Sequence, residues 1–214
     1  KHWAAIFQQF DRVVAPSRHI AQRLGEAGVE KVSVQPLGVD TDLFHPSRAD
    51  PARLKRRLGL PASTRLLVFA GRPAREKNID SLICAVERLG EPYRLLLVGA
   101  AKDAHYSPRV IPLGYERDPE RLAATIASCD ALVHANENEP FGLVVLEALA
   151  AGLPVVGPSR GGIAELIDDQ VGQRAHSVNP AGMAEAIEAL FARDLAPIRA
   201  AARRRAEQRH RWDT

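Results

Sequence analysis

The chain has 214 residues, 46% of them hydrophobic, enough for one large core or for one full domain with a piece of another. It contains no run of 18 apolar residues, so no segment reads as a membrane-spanning helix, and the opening Lys1 to Val14 lacks the apolar stretch and cleavage site of a signal peptide. The formal net charge is only +3, but the tail concentrates Arg193, Arg199, Arg203, Arg204, Arg205, Arg209 and Arg211.

In chain order, the opening reads as an amphipathic helix. Arg12 to Ala15 is then a short strand, and a helix follows to about Ala27, with Ser17 as its N-cap and Gly28 as its stop. Val32 to Gln35 is a second strand, which completes a β-α-β unit. Pro36 to Pro51 carries prolines and a glycine without a sustained period and reads as a linker, with Phe44 as an anchor. Beyond it, strands are predicted at 66–70, 95–98, 110–113, 131–134 and 154–156, with a weak one near 174–178. Helices are predicted at 52–58, 79–89, 119–128, 141–151, 163–167, 181–192 and 197–211. Continuous apolar runs such as Leu66 to Ala70 are typical of strands buried on both faces of a parallel sheet. The alternation gives the fold class: α/β, a Rossmann-like doubly wound parallel sheet. Ligands of such sheets bind at the carboxyl ends of the strands, near the switch point.

Cys84 and Cys129 sit in apolar helical segments and read as two buried thiols of a reducing compartment. The histidines are scattered without ligand spacing, so neither a metal site nor a cofactor is expected. The basic tail has two readings: attraction to an anionic membrane surface or nucleic acid, and a solvated helix face alternating with alanine. The second is favoured, because no aromatic residues interleave with the charges. The expectation is therefore no nucleic acid, and a cytoplasmic protein whose tail offers at most a peripheral contact with the membrane inner face.

Two stretches carry chemistry. In Ala70 to Asn78, Gly71 follows a buried strand and admits a close ligand, and Arg72 and Lys77 can grip a diphosphate. The stretch matches neither the P-loop nor the dinucleotide fingerprint, and by itself it reads equally well as a solvated basic loop. In Asn136 to Gly157, the amides of Phe141, Gly142 and Leu143 at a helix start form an anion seat. Glu147 is the one carboxylate in a helix apolar nearly all round, which favours a functional group facing a cleft. There it can accept hydrogen bonds from a ribose diol. Glu139 is weaker alone, since Glu137 makes a solvated acidic loop reasonable. Gly161-Gly162 is either a second backbone approach point or a tight turn.

The segments GRPAREKN, EPFGLVVLEALAAGLPVV and SRGGIAEL, in this order and spacing, resemble the retaining GT-B glycosyltransferases of the large family-four type, the glycosyl transferases group 1. PLGVDTDLFHP resembles the segment joining that family's two Rossmann-like domains. RVVAPSRHIAQRL resembles the end of the N-terminal domain, and RWDT the end of the C-terminal helix that crosses back to it. The resemblance implies that residues 1–35 are an N-terminal remnant and 36–51 the linker. It further implies that 52–192 are the donor domain and 193–214 the crossing basic helix.

The resemblance also assigns roles. Arg72 and Lys77 contact the donor diphosphate and stabilise the departing nucleotide, Glu139 stands beside the donor sugar as the first acid of E-x7-E, and Glu147 holds the ribose. The backbone of Phe141, Gly142 and Leu143 borders the sugar and phosphates, and Gly114-Tyr115 borders the nucleobase. The implied activity is metal-independent transfer from a UDP- or GDP-sugar with retention of configuration. The acceptor site would lie on an absent N-terminal domain, so that this piece alone is inactive or nearly so. Pro73, Asn78, Ala135-Asn136 and Leu37 depart from the family's usual residues, and Pro73 and Asn78 bear on how Lys77 is presented. The reading from another class is a noncatalytic α/β domain that binds a nucleotide or another anion in the same cleft.

Overall fold

The computed structural model describes residues 2–212. A helix α1 (His2–Phe7) precedes a small parallel pair, β1 (Val13–Ala15) and β2 (Val32–Val34), joined by α2 (Arg18–Glu26). The caps of α2 are those its sequence prescribes. The Ser17 side chain accepts from Ile20 N, and Gly28 takes φ +86° just past the end, a conformation that costs glycine little.

The main sheet has six strands: β3 (Arg65–Ala70), β4 (Tyr93–Val98), β5 (Val110–Gly114), β6 (Ala131–Val133), β7 (Val155–Pro158) and β8 (Gly172–Ala175). All pairings are parallel, in the order β5-β4-β3-β6-β7-β8. This is the doubly wound order, in which the chain builds outward from β3 in one direction and then, from β6, in the other. Successive side chains of a strand point to opposite faces, so each central strand feeds two cores. Leu66, Val68, Leu96 and Val98 enter one, together with α3 (Pro51–Arg57), α5 (Pro119–Ala127), α6 (Leu143–Ala150) and α8 (Leu195–Arg209). Leu67, Phe69, Leu95 and Leu97 enter the other, under α4 (Ile79–Leu89) and α7 (Pro180–Phe191). Leu146 and Leu149 of α6 are fully buried and contribute about 2 kcal/mol each by area removed from water. Pro112 is tolerated because β5 is an edge strand, where a missing donor breaks no central ladder. The crossover from β4 to β5, residues 99–109, contains no helix; Ala100 and Tyr106 cover the core there instead.

Two sequence expectations are corrected. Cys129 is buried, but Cys84 is exposed: Leu82, Ala85 and Val86 take the inward positions of α4, and the helical period turns residue 84 outward. The arginine tail is not simply a solvated face. Arg203 Nη1 donates to the carbonyls of Thr41 (2.9 Å), Phe44 (3.0 Å) and Ala150 (2.7 Å). Arg199 donates to Cys129 O and Asp130 O, Arg193 to Gly172 O, and Arg205 pairs with Asp168 at 2.8 Å. These guanidinium forks satisfy carbonyls that loops and helix ends leave unpaired. Arg204 and Arg209 remain exposed.

The end of α8 meets the 36–50 segment. Val39 N donates to His210 O, Trp212 N donates to Val39 O, and Phe44 is buried nearby. Of the terminal Arg211–Thr214 stretch, Asp213 and Thr214 lie outside the described residues. Among the described residues no helix is long and apolar enough to cross a membrane.

Candidate functional site

The switch point lies between β3 and β6, so the segments leaving their carboxyl ends face each other across a crevice. From β3 comes Gly71–Asn78, which closes in a 3-10 turn, Arg75–Lys77. From β6 comes His134–Gly142, which leads into α6.

Lys77 and Glu139 meet in this crevice. Lys77 Nζ stands 2.5 Å from Glu139 Oε2, and both side chains are about four-fifths buried, at 21% and 17% exposure. The turn that carries Lys77 needs a left-handed residue at its end. Asn78 supplies it, with φ 51° and ψ 42°, and its Nδ2 donates to Val178 O. Asparagine tolerates that conformation better than most side chains, so the departure at position 78 preserves the turn.

Glu139 is held by more than Lys77. Asn136 Nδ2 donates to the same oxygen at 3.0 Å, and His134 Nε2 lies 3.7 Å from it. Burial raises the Glu139 pKa, but the hydrogen bond and charge of Lys77, with His134 and Asn136, outweigh it and hold the pKa below the usual carboxylate value. The loop is fixed from behind as well. Gly162 N donates to Glu139 O at 2.9 Å, and a Cβ on Gly161 or Gly162 would overlap the carbonyls of Glu137 or Pro140. The glycine pair therefore serves close packing against the acidic loop. From the opposite side, Ser17 Oγ donates to Pro140 O at 2.6 Å. The Glu165 carboxylate accepts from the first amides of α2, Arg18 N and His19 N, a favourable place for a negative charge. The β1-α2-β2 unit is thus tied to the same loop.

Gly142, at φ 101°, is the N-cap of α6, and a Cβ there would crowd Ile163. No side chain caps the helix, and the first of its amides bonded to the backbone is that of Val145, to Gly142 O. The open donors of α6 are therefore Leu143 and Val144, and the amides of Phe141 and Gly142, just before the helix, likewise have no hydrogen-bond partner among the described residues. Phe141 is buried, its ring packed edge-on against His210, and serves as an anchor for the loop.

The other residues singled out in the sequence stand apart from this network. Arg72 is exposed and makes no ion pair among the described residues, and Tyr115 and Leu143 are 75% and 48% exposed. Gly71 lies beneath Gly99, whose Cβ would overlap the Gly71 carbonyl. Glu147 is largely buried in α6 without a side-chain partner among the described residues. Burial alone pushes its carboxyl pKa up to about 7. Sequence reasoning passed over His134 and Asn136. The one available signal was position: both follow a buried strand at the switch point.

A model of the family described as glycosyl transferases group 1 matches residues 51–209. The chain belongs to this family. Its sheet is the Rossmann-like sheet of a GT-B glycosyltransferase. The chain is 35% identical to a D-inositol 3-phosphate glycosyltransferase of Xylanimonas cellulosilytica, over 95% of this chain and 54% of that protein. It is 36% identical to a GDP-mannose-dependent alpha-mannosyltransferase of Mycobacterium tuberculosis, over 73% of this chain and 41% of that protein. Among solved structures, Anabaena Alr3699/HepE in complex with UDP and glucose superposes with a TM-score of 0.84 at 25% identity, over 97% of this chain and 61% of that one. The chain spans about half the length of the curated relatives it matches.

Proposed function

We propose that this member of the glycosyl transferases group 1 is the donor-binding half of an enzyme that transfers a sugar from a nucleoside diphosphate, UDP- or GDP-linked, to an acceptor. The observation that carries the reading is the Lys77–Glu139 pair, buried at the switch point beside the open amides of α6. A cation, a carboxylate and two free N–H donors there match the diphosphate, the sugar hydroxyls and the phosphate oxygens of a nucleotide sugar. Relatives named as GDP-mannose-dependent mannosyltransferases and the UDP complex of HepE support this ligand class.

In this reading Lys77 and Arg72 neutralise the diphosphate as it leaves, and the α6 amides add the helix dipole. Preorganised positive charge does here what a metal ion does elsewhere. Glu147 accepts the ribose hydroxyls, Glu139 the sugar hydroxyls, and Tyr115 and Gly71 border the base and phosphates. The acceptor oxygen attacks C1 on the face the diphosphate leaves. The C1–O bond to phosphate breaks, the new C1–O bond forms, and the acceptor proton passes to the departing phosphate oxygen, so configuration is retained. We assign the acceptor site to an N-terminal domain of which residues 1–35 are a part, with 36–51 as the linker, 52–192 as the donor domain and 193–214 crossing back. This piece alone then binds donor with little or no turnover.

A thermal-shift panel of UDP-, GDP- and ADP-sugars tests the reading, since a ligand that binds only the native state stabilises it by mass action. A concentration-dependent rise with a UDP- or GDP-sugar is expected. A folded protein that responds to none of them contradicts the reading.

A further inference from the structure

We propose that His134 is a positioning residue for Glu139, whose Nε2–H keeps that carboxylate in place once Lys77 turns to the donor diphosphate. The proposal rests on the donor-binding reading above.

The geometry begins with the sheet. His134 follows β6 directly, its amide donates to Val156 O at 2.9 Å, and the side chain is almost wholly buried. The ring lies beside Phe69 of β3, centroids 5.7 Å apart. Its Nδ1 is 3.2 Å from the backbone N of Asn136. A backbone N–H only donates, so Nδ1 is the acceptor and the proton of the neutral ring sits on Nε2. That proton faces Glu139 Oε2, 3.7 Å away.

One oxygen of Glu139 thus has three neighbours: Lys77 Nζ, Asn136 Nδ2 and His134 Nε2. Lys77 is the strongest, and it is also the group a diphosphate would recruit. When Lys77 leaves, a largely buried carboxylate loses its cation, and Asn136 and His134 are the donors that remain. Closing the imidazole contact to hydrogen-bond length takes a movement of less than ~1 Å.

The charged groups acting on His134 are Glu139, on its own loop, and Lys77, from the turn before α4; β3 and β7 contribute the Phe69 ring and the Val156 carbonyl. Burial is the largest influence and pushes the imidazole down to about 4, with Glu139 opposing and Lys77 assisting. The ring therefore stays neutral, with one fixed donor, throughout the neutral range.

The test measures affinities for UDP, GDP, UDP-glucose and GDP-mannose by calorimetry from pH 5 to 8, and reads the ratio of nucleotide-sugar to nucleotide affinity. The nucleotide's terminal phosphate itself titrates in this range, so the ratio of each variant is read against the wild type at the same pH. In His134→Leu it falls about tenfold, the size of a lost hydrogen bond to a charge. It falls further as pH drops from 7 to 5, because Glu139 then protonates more readily, while affinity for the bare nucleotide falls by less, since its diphosphate also draws Lys77 away but brings no sugar for Glu139 to hold. His134→Gln, which restores an N–H donor, recovers most of the ratio. An unchanged ratio in His134→Leu, or an equal loss for nucleotide and nucleotide sugar, overturns the proposal and leaves the donor reading standing. A wild type that binds none of the four overturns the donor reading, and this proposal with it. Should His134→Leu not fold, ¹⁵N NMR of the wild type decides. The His134 Nε2–H signal must move on adding either the nucleotide or the nucleotide sugar, since both carry the diphosphate that recruits Lys77, and a signal unmoved by both overturns the proposal.

Discussion

The candidate site has a built side and an open side, each drawn from more than one segment around the crevice, and they are made in opposite ways. On the built side Lys77 and Asn136 donate to Glu139, His134 Nε2 lies 3.7 Å from the same oxygen, and Gly161-Gly162 and Ser17 brace the loop behind them. On the open side Arg72, Tyr115 and Leu143 stand in solvent, and Glu147 is largely buried with no side-chain partner among the described residues. The difference teaches where the protein places its charges. A Lys–Glu pair can be buried because each ion answers the other, so that side is rigid before any ligand arrives. The unpartnered side meets its needs by exposure, or, for Glu147, by holding a proton. In the proposed reading, a bound donor brings the missing partners.

The largest effect should come from breaking the built side. Lys77→Met removes both the proposed diphosphate contact and the countercharge of Glu139. It should weaken nucleoside diphosphate binding by about 2 kcal/mol, roughly thirtyfold by calorimetry, and raise the Glu139 pKa. Arg72→Met should cost less, because an exposed guanidinium was well solvated to begin with. Equal losses would mean that the two sides do not differ as described.

A second break acts through the backbone. Gly162→Ala forces a Cβ against the Pro140 carbonyl and should cost about 1–3 kcal/mol in urea unfolding, with nucleotide-sugar binding falling as Glu139 shifts. Wild-type stability in this variant would contradict the bracing role of the glycine pair.

The open side has a signature of the other sign. The carboxyl of Glu147 sits at about 7 in the folded protein against an ordinary value of 4.5. A raised native pKa means that the unfolded chain loses the proton first as pH rises. The contribution of Glu147 to stability is therefore fully present below about 4.5, declines toward 7, and is gone above it. Glu147→Gln has no such dependence. It should be more stable than the wild type at pH 8 by about 1–2 kcal/mol and nearly equal to it at pH 4.5. A substitution that stabilises the fold while weakening ligand binding marks a residue kept for function. Equal stability at pH 8 would show that Glu147 already has a satisfied environment.

Much of this was legible in the sequence, for definite reasons. Leu66 to Ala70 and Leu95 to Val98 are continuous apolar runs, which a strand between two helical layers requires. Ser17 and Gly28 mark α2, and Glu147 stands out in an otherwise apolar helix. What was not legible depends on residues far apart in sequence. His134 and Asn136 matter because Lys77 arrives beside Glu139, 62 residues earlier in the chain. Arg203 matters because the carbonyls of Thr41, Phe44 and Ala150 converge on it. No periodicity in the sequence encodes such meetings. Asn78 is intermediate: its departure from the family's usual residue was visible, but only its left-handed backbone shows that the turn survives.

The most direct test of the central claim, that this crevice seats a nucleotide sugar with its ribose on Glu147, compares Glu147→Gln with Glu139→Gln in titrations with UDP and GDP at pH 8. A bare nucleotide carries the ribose but no sugar. Glu147→Gln should therefore lose about 1 kcal/mol, a several-fold drop in affinity, while Glu139→Gln changes little. Equal losses in the two variants, or a larger loss in Glu139→Gln, would contradict it.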